Sequence, residues 1–475
     1  MSRVHQVIPI LPVATAEEKG VGLYAAHQKV YTRSVSGVFA RWRWAMVFVT
    51  QLVFYGLPWL EWGQRQAVLF DLSARRFFIF GLVLYPQDLI YLTGLLVVSA
   101  LSLFLFTAVA GRLWCGYACP QTVYSQIYMW VEQKIEGSRI VRMRMDKGGF
   151  STEKVIKKCF KHAVWIAIGL WTGFSFVGYF TPIRELGVSM LHGTMGSWEV
   201  FWVLFYGFAT YGNAGFMREQ VCKYMCPYAR FQSAMFDRDT LIVSYDAAVG
   251  EPRGVPAKGR DDSAPALGHC VDCQLCVQVC PTGIDIRNGL QHECIGCGLC
   301  VDACNIVMKK TAQPPGLIRY ATQNGMANRW TSRQVLQRVL RPRVLVYGAL
   351  LAALSIGLFA SLVARMPLKV DVVRDRAALA RIVDGGQIEN VYRLQIMNAT
   401  EETQRYHIEA SGLDRLEVAS EQMVDVAPAE SRWVAVRLRL PFGAAAAGSH
   451  EVYFDVHSED GRGHVSEKAV FLVPR

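Results

Sequence analysis

The chain has 475 residues, 52% of them hydrophobic and only 19% charged, with a formal net charge of +11. That balance excludes an ordinary soluble enzyme and a disordered chain, and it points to a membrane protein with soluble parts. The basic excess does not read as a nucleic-acid footprint, because Arg and Lys flank apolar runs in the manner of the positive-inside rule.

Residues 1–43 are mixed and polar and lack the apolar core of a secretory signal, so they read as a cytoplasmic segment. Apolar stretches at 44–60, 88–110, 163–180, 198–216 and 344–364 are each about long enough to cross a ~30 Å hydrocarbon core, which predicts five spans. Residues 77–85 are apolar but short and end at Pro86, so they read as a surface-lying or re-entrant piece. Asp88, at the mouth of the second span, is a weak candidate for a proton or quinone contact. Segments 111–162 and 217–343 are rich in Arg and Lys, whereas 181–197 holds only Arg184. The N-terminus and the 217–343 region are therefore expected inside, and the C-terminus outside.

The first four spans (region 44–216) read as two copies of a helix pair. After the second span comes Cys115-Gly-Tyr-Ala-Cys119-Pro120, and after the fourth comes Cys222-Lys-Tyr-Met-Cys226-Pro227. Tyr124-Ser125-Gln126 and Phe231-Gln232-Ser233 follow at similar offsets. Cysteines at i and i+4 share a helix face, and the following proline disturbs the helix and exposes them. Two such pairs brought together at the membrane edge present soft thiolates suited to Cu(I), zinc or an iron–sulfur centre. The plain alternative is small residues packing between membrane helices. His162 and His192 flank spans without a second histidine at helical spacing, and Cys159 reads as a small side chain.

The cytoplasmic region 217–343 carries the strongest motif, at about 262–312. Cys270, Cys273, Cys276 and Cys280-Pro281 form one CxxCxxCxxxC run; Cys294, Cys297, Cys300 and Cys304 form a second, followed by Asn305 in place of proline. In the bacterial two-cluster ferredoxin pattern the last cysteine of each run ligates the other cluster. Cys270, Cys273, Cys276 and Cys304 are thus assigned to one [4Fe–4S] cluster, and Cys294, Cys297, Cys300 and Cys280 to the other. Structural zinc prefers two CxxC pairs, and disulfides do not suit the cytosolic side. Gly283, Gly296 and Gly298 allow close backbone approach to the sulfides.

After the last span, residues 368–475 alternate inward and outward positions in several short runs, as in 391–396 and 433–440, which predicts a β-sandwich. It contains no cysteine, and its expected role is scaffolding or docking. Asn398-Ala399-Thr400 matches a glycosylation acceptor.

The order CxxxCP, CxxxCP, ferredoxin insert, last span, immunoglobulin-like sandwich resembles the CcoG/FixG/RdxA family of cytochrome c oxidase accessory proteins, from about residue 30 onward. The resemblance implies an inner-membrane cupric reductase serving cbb3-type oxidase assembly, with copper reduced at Cys115, Cys119, Cys222 and Cys226. It also implies a cytosolic electron donor, a copper-exporting P-type ATPase and oxidase assembly proteins as partners; self-association is compatible with it. The rival readings are a NapH-like quinol dehydrogenase, against which the fifth span and the sandwich argue, and a non-enzymatic assembly scaffold.

Overall fold

The computed structural model describes residues 29–255, 267–375 and 380–474. Most of the N-terminal segment and the start of the predicted ferredoxin insert lie outside the described residues.

The chain opens with α1 (Val38–Gly56), then a β-meander of β1 (Val68–Asp71), β2 (Arg76–Ile79) and β3 (Leu82–Leu84). Next come α2 (Leu89–Ala110), α3 (Leu113–Tyr117), α4 (Pro120–Glu136), α5 (Arg139–Lys147), α6 (Thr152–Val177), α7 (Ile183–His192) and α8 (Ser197–Gly212). Two wider π-type turns, Asn213–Met217 and Val221–Met225, lead into α9 (Pro227–Met235). The cysteine-rich unit holds α10 (Leu299–Lys310) and a two-stranded pair of β4 (Ile242–Tyr245) and β5 (Ile318–Ala321). A long helix, α11 (Pro342–Val363), connects it to the C-terminal strands.

Among the described residues, three helical stretches are long and apolar enough to cross a membrane: Pro86–Ala110, Thr152–Val177 and Pro342–Val363. The predicted spans at 44–60 and 198–216 also fall on helices but do not meet that standard. Arg41, Arg43 and Gln51 interrupt the apolar run of α1, and α8 ends after 16 residues. Helices α6 and α8 touch backbone to backbone. A Cβ added at Gly173 would sit 2.2 Å from the Val203 carbonyl oxygen, and one at Gly169 would sit 2.7 Å from that of Gly207. Small residues drive such close helix approach in membranes.

The C-terminal unit is a sandwich of two antiparallel sheets. Its strands are β6 (Leu368–Arg374), β7 (Arg381–Val383), β8 (Gln387–Asn398), β9 (Gln404–Ser411), β10 (Glu417–Val418), β11 (Met423–Val426), β12 (Ser431–Pro441), β13 (Gly448–Ser458) and β14 (His464–Val473). One sheet runs β10-β12-β8-β6, with β7 also on β8, and the other runs β11-β9-β13-β14. Alternation buries Tyr392, Leu394, Ile396, Ile408, Leu438, Phe454 and Phe471 completely between them.

Residues 77–85 are neither surface-lying nor re-entrant. They form β2 and β3, whose Phe78 and Val83 join Leu69 and Tyr85 in a core with Met397 and Ala429 of the sandwich. Tyr85 donates to the Asn398 carbonyl at 2.9 Å, and Arg65 pairs with Glu401 at 2.7 Å. Asp88 belongs to the same junction: it is buried, accepts from the Tyr85 N–H and pairs with Arg365 and Lys369. A carboxylate held by two cations is a structural clamp between the start of the second apolar helix and the sandwich. Asn398 is fully buried, its amide donating to the carbonyls of Glu402, Val426 and Ala427, so the acceptor motif is a turn brace. Asn305, in the usual proline position, accepts from the Gly316 N–H at 3.0 Å and ties down the loop after α10.

Candidate iron–sulfur and membrane-edge cysteine site

The ferredoxin-like spacing folds into two adjacent cavities. One is lined by Cys270, Cys273, Cys276 and Cys304, with Val307, Leu317 and Ile318 around them. The other is lined by Cys280, Cys294, Cys297 and Cys300, and Cys276 also touches it. The last cysteine of each run therefore sits with the other run, the crossed arrangement that spacing leads one to expect. Gly283, Gly296 and Gly298 all have positive φ (72°, 65° and 72°), the backbone region that favours glycine.

Burial pushes the Cys294 and Cys304 thiols up to about 12 and Cys276 up to about 11. These residues would hold an iron core only as thiolates, so its binding would release their protons to solvent. Arg43 provides a separate test of fit. It is 1% exposed, and all three guanidinium nitrogens lack a hydrogen-bond partner among the described residues. A buried cation without a partner is costly. Arg43 acts electrostatically on Cys297. The thiolate-ligated, net-negative cluster that this cavity could hold is the counter-charge Arg43 otherwise lacks.

The membrane-edge cysteines differ from the sequence expectation in local geometry. Neither pair lies on one continuous helix face. Cys115 sits in the short α3, the chain breaks, and Cys119 is the N-cap of α4 with Pro120 in its first turn. Cys222 sits in the π-type turn Val221–Met225, and Cys226 is the N-cap of α9 with Pro227 in its first turn. Proline fits a first helical position because the N–H it lacks would have no partner there. The break is thus built the same way in both copies.

The two copies converge. Cys115 is within electrostatic range of Cys119, Cys222 and Cys226, and burial pushes it up to about 12 and Cys222 to about 11. Cys119 is also raised, burial outweighing the N–H donors of Thr122 and Gln121 at the start of α4. The Cys115 thiol donates to Gln232 of the opposite copy at 3.2 Å, and Gln232 is fully buried. Gln121 of the first copy reaches back to the carbonyls of Asn213 and Arg218 at 2.9 and 3.1 Å. The duplicated Ser/Gln positions thus include a direct neighbour of the thiols.

This cysteine set abuts the second cavity. A Cβ on Gly116 would lie 2.9 Å from the Ile295 carbonyl oxygen and 3.0 Å from the Cys297 Cα, so α3 and the Cys294–Cys300 loop meet at backbone contact. Tyr117 donates to the Cys297 carbonyl at 3.1 Å. Cys222 lines a crevice with Pro281, Thr282 and Ile295 of the same cavity wall. Arg112, buried between them, donates to the carbonyls of His292 and Ala229 and acts electrostatically on Cys115, Cys222 and Cys294.

Sequence reasoning saw Arg43 and Arg112 only as basic residues flanking apolar runs, whereas both are buried, and it missed Asp302. Asp302, on α10, accepts from the Phe39 and Ala40 N–H groups at 3.3 and 2.8 Å, capping α1 from another element. It also missed that part of the basic 111–162 segment is buried. Glu136 pairs with Lys158 and Lys161, and Glu132 pairs with Arg142 and with Arg218 from beyond α8. Of the two flanking histidines, His162 bonds the Tyr211 hydroxyl at 3.1 Å and stacks on Phe216, while His192 ends α7. Cys159 is exposed on α6.

The chain matches a model of the 4Fe-4S dicluster domain over residues 217–323, one of a 4Fe-4S binding domain over 92–137, and one of the IG-like fold at the C-terminus of FixG over 358–474. It is 37% identical over 424 residues to the nitrogen fixation protein FixG of Rhizobium meliloti, covering 82% of this chain and 80% of that protein. It is 41% identical to protein RdxB of Cereibacter sphaeroides, covering 81% of this chain and 82% of RdxB. Against RdxA of the same organism it is 38% identical, with 82% and 84% covered. The chain belongs to the FixG/RdxA/RdxB family. As such it is a membrane-associated iron–sulfur oxidoreductase with an immunoglobulin-like C-terminal unit.

Proposed function

We propose that this FixG-family member is a multi-pass cupric reductase of the bacterial inner membrane. Cys270, Cys273, Cys276 and Cys304 would hold a distal [4Fe–4S] cluster and Cys280, Cys294, Cys297 and Cys300 a proximal one. When bound, the two clusters supply one-electron transfer. Cys115, Cys119, Cys222 and Cys226 take Cu(II) as substrate, and each ion consumes one electron that originates in a cytosolic donor. Soft thiolates favour the reduced Cu(I) ion. The product Cu(I) is then handed to a copper-exporting P-type ATPase for cbb3-type oxidase assembly. In this reading α1 and α8 complete five crossings, with the cysteine-rich unit cytoplasmic and the sandwich periplasmic. The backbone contact between Gly116 and Cys297 is the observation that supports it best, because it joins the copper-binding thiols to the proximal cluster loop.

The deciding experiment is anaerobic. Protein with reduced clusters is mixed with Cu(II), and cluster absorbance is followed together with Cu(I) capture by a chelator. Cluster reoxidation is expected to match Cu(I) formed, and to be lost when Cys115, Cys119, Cys222 and Cys226 are all changed to Ser with iron content unchanged. Clusters that stay reduced, or an equally active variant, would replace the reading with quinol oxidation or scaffolding.

One finding favours a second reading. The 4Fe-4S binding model at 92–137 includes Cys115 and Cys119 and no other cysteine. The membrane-edge thiols would then hold an iron–sulfur centre themselves. Iron analysis separates the two, with about eight iron atoms per chain for two [4Fe–4S] clusters and about twelve for three.

A further inference from the structure

The outer face of the β11-β9-β13-β14 sheet carries a row of metal-binding side chains that the chemistry above does not use. The antiparallel register places Met423 opposite His407, His407 opposite His457, and His457 opposite His464. Directly opposed residues point to the same side of a sheet. Their inward neighbours Tyr406, Ile408, Val424 and Val456 are buried in the core, so the row faces outward. Two residues along each strand, Glu409 and Asp455 are also directly opposed.

The geometry points to a binding site for a divalent transition-metal ion of the Cu(II)/Zn(II) class, held by His407, His457 and Glu409, with His464 and Met423 flanking it. One ligand atom from each of His407, Glu409 and His457 lies within 4.8 Å of the others. The His407 Nδ1 is 3.2 Å from Glu409 Oε1, and the His407 and His457 rings are 5.0 Å apart between centroids. Tetrahedral bonds of about 2.0–2.1 Å put donor atoms roughly 3.4 Å apart, a distance side-chain rotation on an open face can reach.

Charge supports the same ligand. Glu409 and Asp455 face each other across adjacent strands, and like charges so placed repel unless a cation lies between or beside them. Their neighbours are the imidazoles of His407, 3.2 Å from Glu409, and His464, 4.0 Å from Asp455, together with the Ser411 hydroxyl, which donates to Asp455 at 2.8 Å. The nearest arginine on the strand, Arg405, is already paired with Asp425 at 2.8 Å. Imidazole together with carboxylate selects Cu(II), Zn(II) or Ni(II) over the oxygen-seeking Ca(II) and Mg(II), and Cu(II) binds tightest of these. The residues of the site all lie on the C-terminal sandwich, outside the cysteine-rich region and the CxxxCP segments that carry the thiols. The site does not depend on their carrying copper.

The test uses the full-length protein in detergent and diethyl pyrocarbonate footprinting of histidines by peptide mass spectrometry, with Cu(II) or Zn(II) chloride as the probe. This readout ignores metal taken up by cysteines. At an ion concentration about ten times the dissociation constant, modification of His407 and His457 should slow roughly tenfold. His450, on β13 outside the row, should be unaffected. In Glu409→Gln and His407→Asn variants the protection of His457 should be lost. Protection by Ca(II) equal to that by Cu(II) overturns the proposal. So does the absence of protection at both histidines in the wild type, a result that needs no variant to fold.

Discussion

The two cysteine cavities are built from the same CxxCxxCxxxC code but stand in different surroundings. Around the distal set, Cys273 is exposed and the neighbouring Arg287 is spent on Asp272 and Asp285, at 2.5 and 2.7 Å. Around the proximal set, Cys297 is buried, Arg43 has no hydrogen-bond partner among the described residues, and α3 presses against the loop. Identical ligand spacing therefore does not make the two cavities equivalent. In the proposed route the electron enters at the distal cavity and leaves from the proximal one, which α3 touches.

The largest effect should come from breaking the proximal side alone. Cys297→Ser is expected to abolish Cu(II) reduction while the distal cluster still takes an electron from dithionite, seen by electron paramagnetic resonance at half the wild-type spin count. Cys273→Ser is expected to leave a proximal cluster that Cu(II) can still reoxidise once it is chemically reduced. If the two variants behave alike, the asymmetry between the cavities has no functional meaning.

Next in size is Gly116→Val. Its new Cβ would collide with the Ile295 carbonyl and Cys297 Cα, both backbone atoms that cannot swing away. Overpacking of this kind costs about 1–3 kcal/mol, and the chain relieves it by separating α3 from the loop. The reoxidation rate by Cu(II) should fall more than the melting temperature does, while Gly149→Val, with open space around it, should change neither.

Arg43→Met sharpens the comparison electrostatically. Removing a buried positive charge beside Cys297 disfavours the more negative, reduced cluster, so the proximal potential should drop and the distal one should stay put. A redox titration should show a shift on the order of 60 mV, a tenfold change in a one-electron equilibrium.

The grouping of eight cysteines around two cavities, the sandwich and the duplicated CxxxCP motif were legible because each rests on short-range spacing. Two-residue alternation, CxxC repeats and Cys-Pro pairs carry their geometry within a few residues. What stayed hidden depends on partners far along the chain. Residues 77–85 look like a membrane piece until Met397 and Ala429 supply the other half of their core. Arg142, Lys161 and Arg218 look like cytoplasmic anchors until Glu132 and Glu136 are seen buried beside them. The i, i+4 reading of the CxxxCP pairs failed locally, because proline at a first helical position starts a new helix as readily as it disturbs an old one.

The smallest expected effect concerns how the proximal side is held to α1. Helix α1 begins at Gly37, which has no side chain to cap it, and the missing acceptor comes from Asp302 on α10. A carboxylate at a helix N-terminus satisfies orphan N–H groups and opposes the helix dipole, and losing such a cap typically costs about 1 kcal/mol. Asp302→Ala should therefore lower stability only slightly, as a fall of a few degrees at most in thermal unfolding. Because Asp302 lies two residues from Cys300 and from Cys304, the loosening falls on the helix that supplies one ligand to each cavity. Cys300 and Cys304 both pack against Val243 and Ile318 of the β4–β5 pair, but Cys300 also lies in the cluster that includes Ala40 of α1. The variant should accordingly lose proximal cluster signal on storage before distal signal, and equal loss would mean that α1 steadies both cavities alike.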